Sequence, residues 1–376
     1  MKMIKGFDVA VIGSGIIGLF AAYWARQKGL HVIVFDQHHP PHRYGSSHGL
    51  NRAIEYIYQE PSQQYLPWIQ RTWELWRSMH QTFAPLDLLA VTGAVTILVE
   101  TDPRIAQLQT WAENLDVPFK ILGPASLRSR FSQLSISRHV IGIEEPSAAM
   151  IAVEPFIRSM IAWGQEHNIP WHFNEKVLAV KAHPDHVTIK TADTDYTAAR
   201  AIVTPGPWLS QWGLNIPITL SHQLMLWVPK SSLPFSQMVN IDLLEDIRIA
   251  FFPESQERWG TKIIADVPLT AGEKTCSAIS VEDILTVNDQ IRPIWSGIDR
   301  APLIHHEPCI MSMTPDQNFY IDYWPGSKHI VIGAGFSGRG FKYAPLVGQW
   351  LVNMVMQEPI EDDLSLFRIN RIDNLS

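Results

Sequence analysis

The chain has 376 residues, of which 46% are hydrophobic and 18% charged, and a formal net charge of −7. That length is long for one core and comfortable for two domains, and the apolar share excludes a mainly disordered chain. No run of Lys and Arg supplies a nucleic-acid footprint, and two cysteines, Cys276 and Cys309, build neither a disulfide framework nor a multi-thiolate metal site.

A reducing cytoplasm fits this cysteine usage. The 14 Trp are read as packing material. The first strong element is a short β-rich run, Phe7 to Ile12, followed at once by Gly13-Ser14-Gly15-Ile16-Ile17-Gly18. Leu19 to Lys28 reads as a helix stopped by Gly29, and His31 to Phe35 as a second strand closed by Asp36 and Gln37. The apolar stretch Val9 to Ala25 is slightly short for a bilayer and carries three patterned glycines, so no membrane insertion is expected.

The unit is a complete βαβ with a dinucleotide fingerprint in its proper context. Gly13 permits the tight turn, Gly15 lets the backbone approach a pyrophosphate, and Gly18 lets helix and strand pack closely. The helix N-terminus turns free N–H groups toward the phosphates. Asp36, 18 residues after Gly18, suits the hydroxyls of a ribose. The fingerprint alone does not separate NAD from FAD, but one such unit at the N-terminus favours FAD as a fixed prosthetic group.

Downstream, helices are expected over Gln63–Gln81, Asp102–Leu115, Ala125–Phe131 and Glu154–His167. Leu88 to Glu100 reads as strand turned at Gly93. Strands are expected over Val177–Val180, Val187–Lys190, Ala201–Thr204, Ile218–Val228, Ile247–Phe252 and Lys262–Val267. The fold class is therefore α/β in a mixed α+β form. A Rossmann-like FAD-binding domain, residues 1–85, 146–217 and 318–376, is interrupted by a mainly antiparallel substrate domain, residues 86–145 and 218–317.

Near the C-terminus, Cys309 precedes Thr314-Pro315-Asp316, and His329 to Ile332 leads into Gly333-Ala334-Gly335-Phe336-Ser337-Gly338-Arg339-Gly340-Phe341-Lys342. A helix from Ala344 to Met356 follows. Glycines at Gly335, Gly338 and Gly340 let the backbone lie against a flat ligand, and the helix N-terminus favours negative charge there.

On these residues the chain resembles the monomeric sarcosine oxidase and N-methyltryptophan oxidase family of flavoproteins over nearly its whole length. Further marks are His39-Pro40-Pro41-His42 leading to Gly45-Ser46-Ser47-His48-Gly49, then Thr204-Pro205-Gly206-Pro207-Trp208, and Phe367 to Arg371. The resemblance implies FAD joined through a cysteine thioether, with Cys309 at that place. It implies oxidation of a small secondary amine or amino acid, reduction of O2 to H2O2, and a monomeric enzyme. It places Ser46, Val177, Gly206, Trp208, Phe336 and Phe341 around the cofactor. It puts His48 and Arg52 beside the flavin, Lys262 over it as the group that helps O2 accept an electron, and Lys342 on the substrate carboxylate.

Each residue also has a plainer reading. Lys262 on a strand fits an exposed face, and Arg52 fits an ion pair with Glu55. His31, His38, His39, His42 and His48 lack metal-ligand spacing, and His305-His306 reads as incidental. The chain also departs from the family. Glu55 stands where a second arginine is expected, Ala250 where a tyrosine is, Asp266 where a histidine is, and Ser47 and Leu50 differ as well. Flavin-side residues persist while substrate-side residues change. The expected substrate is therefore not sarcosine but a molecule with a cationic or hydroxyl group for Glu55 or Asp266. Rival expectations are a flavin dehydrogenase, a cyclic imine or amino-acid oxidase, and a non-catalytic flavoprotein.

Overall fold

Val9–Ile12 and Val32–Phe35 are apolar at every position and buried on both faces, as strands in the middle of a covered parallel sheet must be. In the computed structural model, which describes residues 3–57, 62–243, 247–255, 258–267, 269–270 and 279–374, Met3–Ile12 pairs in parallel with Val32–Asp36 and with Asp195–Val203. Trp171–Phe173 and Ile330–Ala334 extend this sheet in parallel, and antiparallel hairpins complete eight strands among the described residues. The helix Ile16–Gln27 packs on Gly340–Met356. A Cβ at Gly348 would stand 2.6 Å from Phe20 Cβ and 2.8 Å from its carbonyl carbon, so the two helices meet almost backbone to backbone.

A second sheet, of nine strands among the described residues, draws its strands from Ala94–Glu145 and Thr219–Met313. It is antiparallel except where Ala94–Val99 runs parallel to Met238–Asp242. A small sheet of Asn51–Ile54, Leu89–Val91 and Ala149–Ala152 lies apart from both. The Leu88–Glu100 strand therefore splits at Gly93, whose φ is +72°, and its halves join different sheets. The helix Val281–Ile291 is absent from the sequence reading. Ser280 and Asp283 form a capping box at its start, and Val287 and Ile291 bury into the second core.

Two shifts of boundary bear on the site. The strand expected from Val177 begins at Ala179, which leaves Val177 in the preceding loop. The strand expected to include Thr204 ends at Val203. Thr204 instead donates from its backbone N–H to Ile12 O (2.8 Å) and from its hydroxyl to Gly13 O (3.0 Å), which pins the glycine turn. Trp73, Trp76, Trp227 and Trp350 are fully buried packing groups. Cys276 lies outside the described residues, and among those residues no helix is long and apolar enough to cross a membrane.

The Thr-Pro-Asp run and the C-terminal segment meet in space. Arg371 grips Asp316 with two parallel hydrogen bonds of 2.8 and 2.9 Å, donates to Asn318 O, and lies over the Tyr320 ring. Burial raises the Asp316 pKa, but the Arg371 fork and Asn318 outweigh it and bring it to about 2. A depressed carboxylate pKa adds stability that is complete above the ordinary value near 4 and lost as pH falls toward 2. Arg371→Met is expected to destabilise the protein by about 2 kcal/mol at pH 7. Chemical denaturation at pH 7 and near pH 2 checks this, with the difference between variant and parent shrinking at the lower pH.

Candidate active site

The turn Gly13-Ser14-Gly15 opens the helix Ile16–Gln27, whose N-terminus no side chain of Gly15 caps. The first helical N–H, of Ile16, donates to Ser47 Oγ at 3.0 Å. Gly13 has φ +96°, and a Cβ there would stand 2.2 Å from Thr204 O, so only glycine fits. Asp36 reaches back under the turn. Its Oδ2 accepts from Ser14 N (2.7 Å) and Ser14 Oγ (2.8 Å), and Oδ1 accepts from His38 N (2.9 Å). Burial pushes its pKa up, but His42 and these donors outweigh burial and hold it below the usual carboxylate range. The sequence reading gave Asp36 to a ribose alone. In the structure it also builds the turn.

A cavity of about 510 Å³ runs from this turn to the second sheet. The glycine turn, Asp36, Gln37, Ser46, Val177, Gly206 and Trp208 line one end. Gly335, Phe336, Gly338, Gly340, Phe341 and Lys342 line one side, and Cys309 and Met311 the wall toward the second sheet. The helix Gly340–Met356 also begins at the cavity without a side-chain cap. Two helix N-termini thus meet one cavity, and both favour negative charge.

Cys309 sits at 8% exposure opposite Gln223 in the neighbouring strand. Arg52 donates to its sulfur at 3.4 Å and to the carbonyls of Asn51 (2.9 Å) and Ser46 (3.0 Å), and so turns away from an ion pair with Glu55. Burial raises the thiol pKa, but Arg52, then His48 and Lys262, outweigh it and bring it to about 7. Burial lowers the His48 pKa, yet Cys309 and Glu307 outweigh burial and push it up to about 9.

Lys262, read as an exposed charge on one view, is 1% exposed. Its ammonium donates to Asn51 O (3.0 Å) and to the Asn51 side chain, and lies 3.8 Å from the Phe252 ring centroid. Burial, then Arg52, drives its pKa well below the usual lysine value, against the pull of Cys309. Lys262 and His48 stand one layer behind the cavity wall, while Phe252 and Cys309 form it.

At the far end, Lys342 is 6% exposed and lines the cavity, and its carbonyl accepts from Trp76 Nε1 at 2.7 Å. Glu55 lines it too, at 4% exposure, and accepts from Asn240 Nδ2 at 2.6 Å. Ala250, directly across from Asn240, leaves space where a larger side chain would stand. Asp266 is not brought to the site. It is exposed, at the end of its strand, and faces Arg248 at 3.8 Å. Asp266 N–H still pairs with Arg248 O (2.8 Å) at the strand's end, beyond the residues that line the cavity, so spacing from Lys262 does not carry it there.

The sequence reading missed Asn51, Asn240, Glu145 and Glu307. Glu145 is buried and accepts from Tyr56 N (3.0 Å) and Ile57 N (2.8 Å), which fixes the backbone just after Glu55. Its pKa is raised by burial against those donors. Nothing in the sequence marks it. Glu307 had a signal, since strand alternation puts it on the face of Cys309. His305, read as incidental, pairs with it at 3.2 Å. Of the other histidines, His42 lies 3.7 Å from Asp36, and His38 packs on Tyr44 and Trp208.

Comparisons with known proteins agree with this architecture. Residues 8–354 match the family described as FAD dependent oxidoreductase. N-methyl-L-tryptophan oxidase of Yersinia pestis (strain Pestoides F) is 25% identical over 371 residues, 97% of this chain and 99% of that protein. NikD, an unusual amino acid oxidase essential for nikkomycin biosynthesis, superposes with TM-score 0.83 at 17% identity, over 98% of each chain. L-proline dehydrogenase from P. horikoshii superposes with TM-score 0.82 at 17% identity, over 99% of each chain. These structural likenesses speak for the fold.

Gly13→Ala is expected to weaken FAD binding at least about tenfold, because strain at a positive φ and the clash with Thr204 O fall on the turn itself. Titration of the flavin-free protein with FAD, followed by flavin fluorescence, measures it.

Proposed function

Because the chain belongs to the FAD-dependent oxidoreductase family, we propose that it oxidises a secondary amine or N-methyl amino acid at the C–H bond next to nitrogen. The observation that carries the reading is the single cavity where the glycine turn, the C-terminal glycine segment and Cys309 converge. Bound flavin would supply the redox chemistry, two-electron oxidation of the amine and reduction of O2 to H2O2. The protein supplies binding, orientation and charge.

Gly13, Gly15 and the N–H of Ile17 would hold the pyrophosphate, and Asp36 would meet the ribose hydroxyls. Gln37, Val177, Gly206 and Trp208 enclose the nucleotide end, and Ser46 and Phe336 flank the ring system. Arg52 and the helix start at Gly340 hold negative charge on the reduced ring. Lys262, behind Phe252, stabilises charge developing on O2, an effect that its dry surroundings enlarge. Lys342 takes the substrate carboxylate. Holding the amine in one orientation contributes through near-attack geometry, and the imine product hydrolyses in water. Cys309 is the attachment point of the flavin. The division into a discontinuous FAD-binding domain and an inserted substrate domain is supported by the segregation of the two large sheets along the chain.

Glu55 in the cavity favours a substrate that presents a cation or hydroxyl there, and it weakens any arginine-like clamp on a second carboxylate. Sarcosine offers nothing at that point. Steady-state peroxide production across N-methyl amino acids, cyclic imino acids and simple amines tests this, with an artificial electron acceptor as control. Sarcosine as the best substrate overturns the specificity, and absence of anaerobic flavin bleaching by any amine overturns the catalytic reading. Glu55→Gln is expected to lower kcat/KM about tenfold for a cationic substrate and to leave a neutral analogue nearly unchanged. Acid precipitation should leave yellow colour in the pellet, and Cys309→Ala should release it to the supernatant.

A further inference from the structure

The strand that carries Cys309 holds two further polar residues with no part in the reaction above. Alternation along His305–Met313 puts His305, Glu307 and Cys309 on one face. Glu307 stands between two imidazoles. Its Oε2 lies 3.7 Å from His48 Nδ1, and its Oε1 lies 3.2 Å from His305 Nε2. His305 stacks on Trp259 with ring centroids 3.8 Å apart. His48 is 2% exposed and its Nε2 makes no hydrogen bond, and Cys309 and Glu307 are the groups that push its pKa up. Thiol, imidazole and carboxylate thus follow one another, the order in which an acid orients a base toward a nucleophile.

We propose that Glu307 is a positioning residue that orients His48 and holds it charged, so that Cys309 meets the flavin as a thiolate, with His305 steadying Glu307. The proposal rests on the reading of Cys309 as the attachment point. In the attachment, Cys309 Sγ bonds to a methyl carbon of the isoalloxazine. The thiol proton and one methyl proton leave, and the electron pair of the broken C–H bond enters the ring, reducing it by two electrons. O2 takes that pair with two protons as H2O2, and the thioether remains on oxidised flavin.

Three basic groups bear on the sulfur, and Glu307 bears on one of them, His48. Arg52 comes from Asn51–Ile54, His48 from the loop before it, Lys262 from Thr261–Ala265, and Glu307 from the same strand as Cys309. Arg52 and His48 favour the thiolate, and Lys262 does so only while it keeps its proton. Glu307 acting directly would oppose it, whereas Glu307 acting through His48 favours it. The sign of its effect therefore separates the two routes.

The test uses the full chain produced without flavin, so that Cys309 is still a thiol, and its Glu307→Gln, Glu307→Asp and His305→Gln variants. Iodoacetamide alkylation is followed against pH, with the Cys309 and Cys276 peptides resolved by mass spectrometry. FAD is then added in air and acid-stable flavin measured with time. In the parent, Cys309 should titrate near pH 7. Glu307→Gln should move that midpoint up by about one pH unit and slow covalent incorporation about tenfold. Glu307→Asp should restore most of both, and His305→Gln should shift the midpoint the same way by less. A downward or absent shift in a Glu307→Gln protein that still binds FAD overturns the proposal. If that variant does not fold, an unshifted His305→Gln protein overturns it. An upward shift with no acid-stable flavin in the parent supports the coupling of Glu307, His48 and Cys309 and overturns covalent attachment.

Discussion

Positive charge concentrated around one buried sulfur is the constraint on which the rest of this site depends. Arg52, His48 and Lys262 come from separate parts of the chain and converge on Cys309. Two like charges 4 Å apart repel by about 4 kcal/mol at the effective dielectric of a protein. Such a cluster persists only if something negative or strongly accepting answers it. Asn51 answers Lys262, two carbonyls answer Arg52, and Glu307 answers His48. What remains favours a thiolate, and beyond it the negative charge of a reduced flavin.

The opposite end of the cavity obeys the same logic with weaker charges. Backbone N–H groups and a helix dipole replace side-chain cations, a set of donors that suits the spread charge of phosphate groups. The cost falls on geometry. Gly13 accepts a positive φ, Thr204 pins the turn, and Asp36 ties Ser14 beneath it. Asp36 is thus an acid that builds the turn.

Glu55 stands at the end of the cavity that also holds Lys342. The Glu55 carboxylate accepts a hydrogen bond from the Asn240 amide, and Ala250 leaves room beside them. A buried carboxylate is costly to keep without a partner. Glu145 secures the backbone that follows Glu55, so the acid stands on a fixed segment.

The sequence by itself determined the local features that repeat with a period or depend on a single residue type. The βαβ unit, the glycine turn and the two-sheet division follow from alternation and glycine placement. It also held the capping box at Ser280 and the shared face of His305, Glu307 and Cys309, which alternation alone reveals. Only the tertiary structure decided which charges meet. Strand pairing buried Lys262 beside Asn51, turned Arg52 to Cys309 instead of Glu55, and left Asp266 in solvent against Arg248. Those outcomes depend on contacts between residues far apart in the chain, and no periodicity along the sequence encodes such distances.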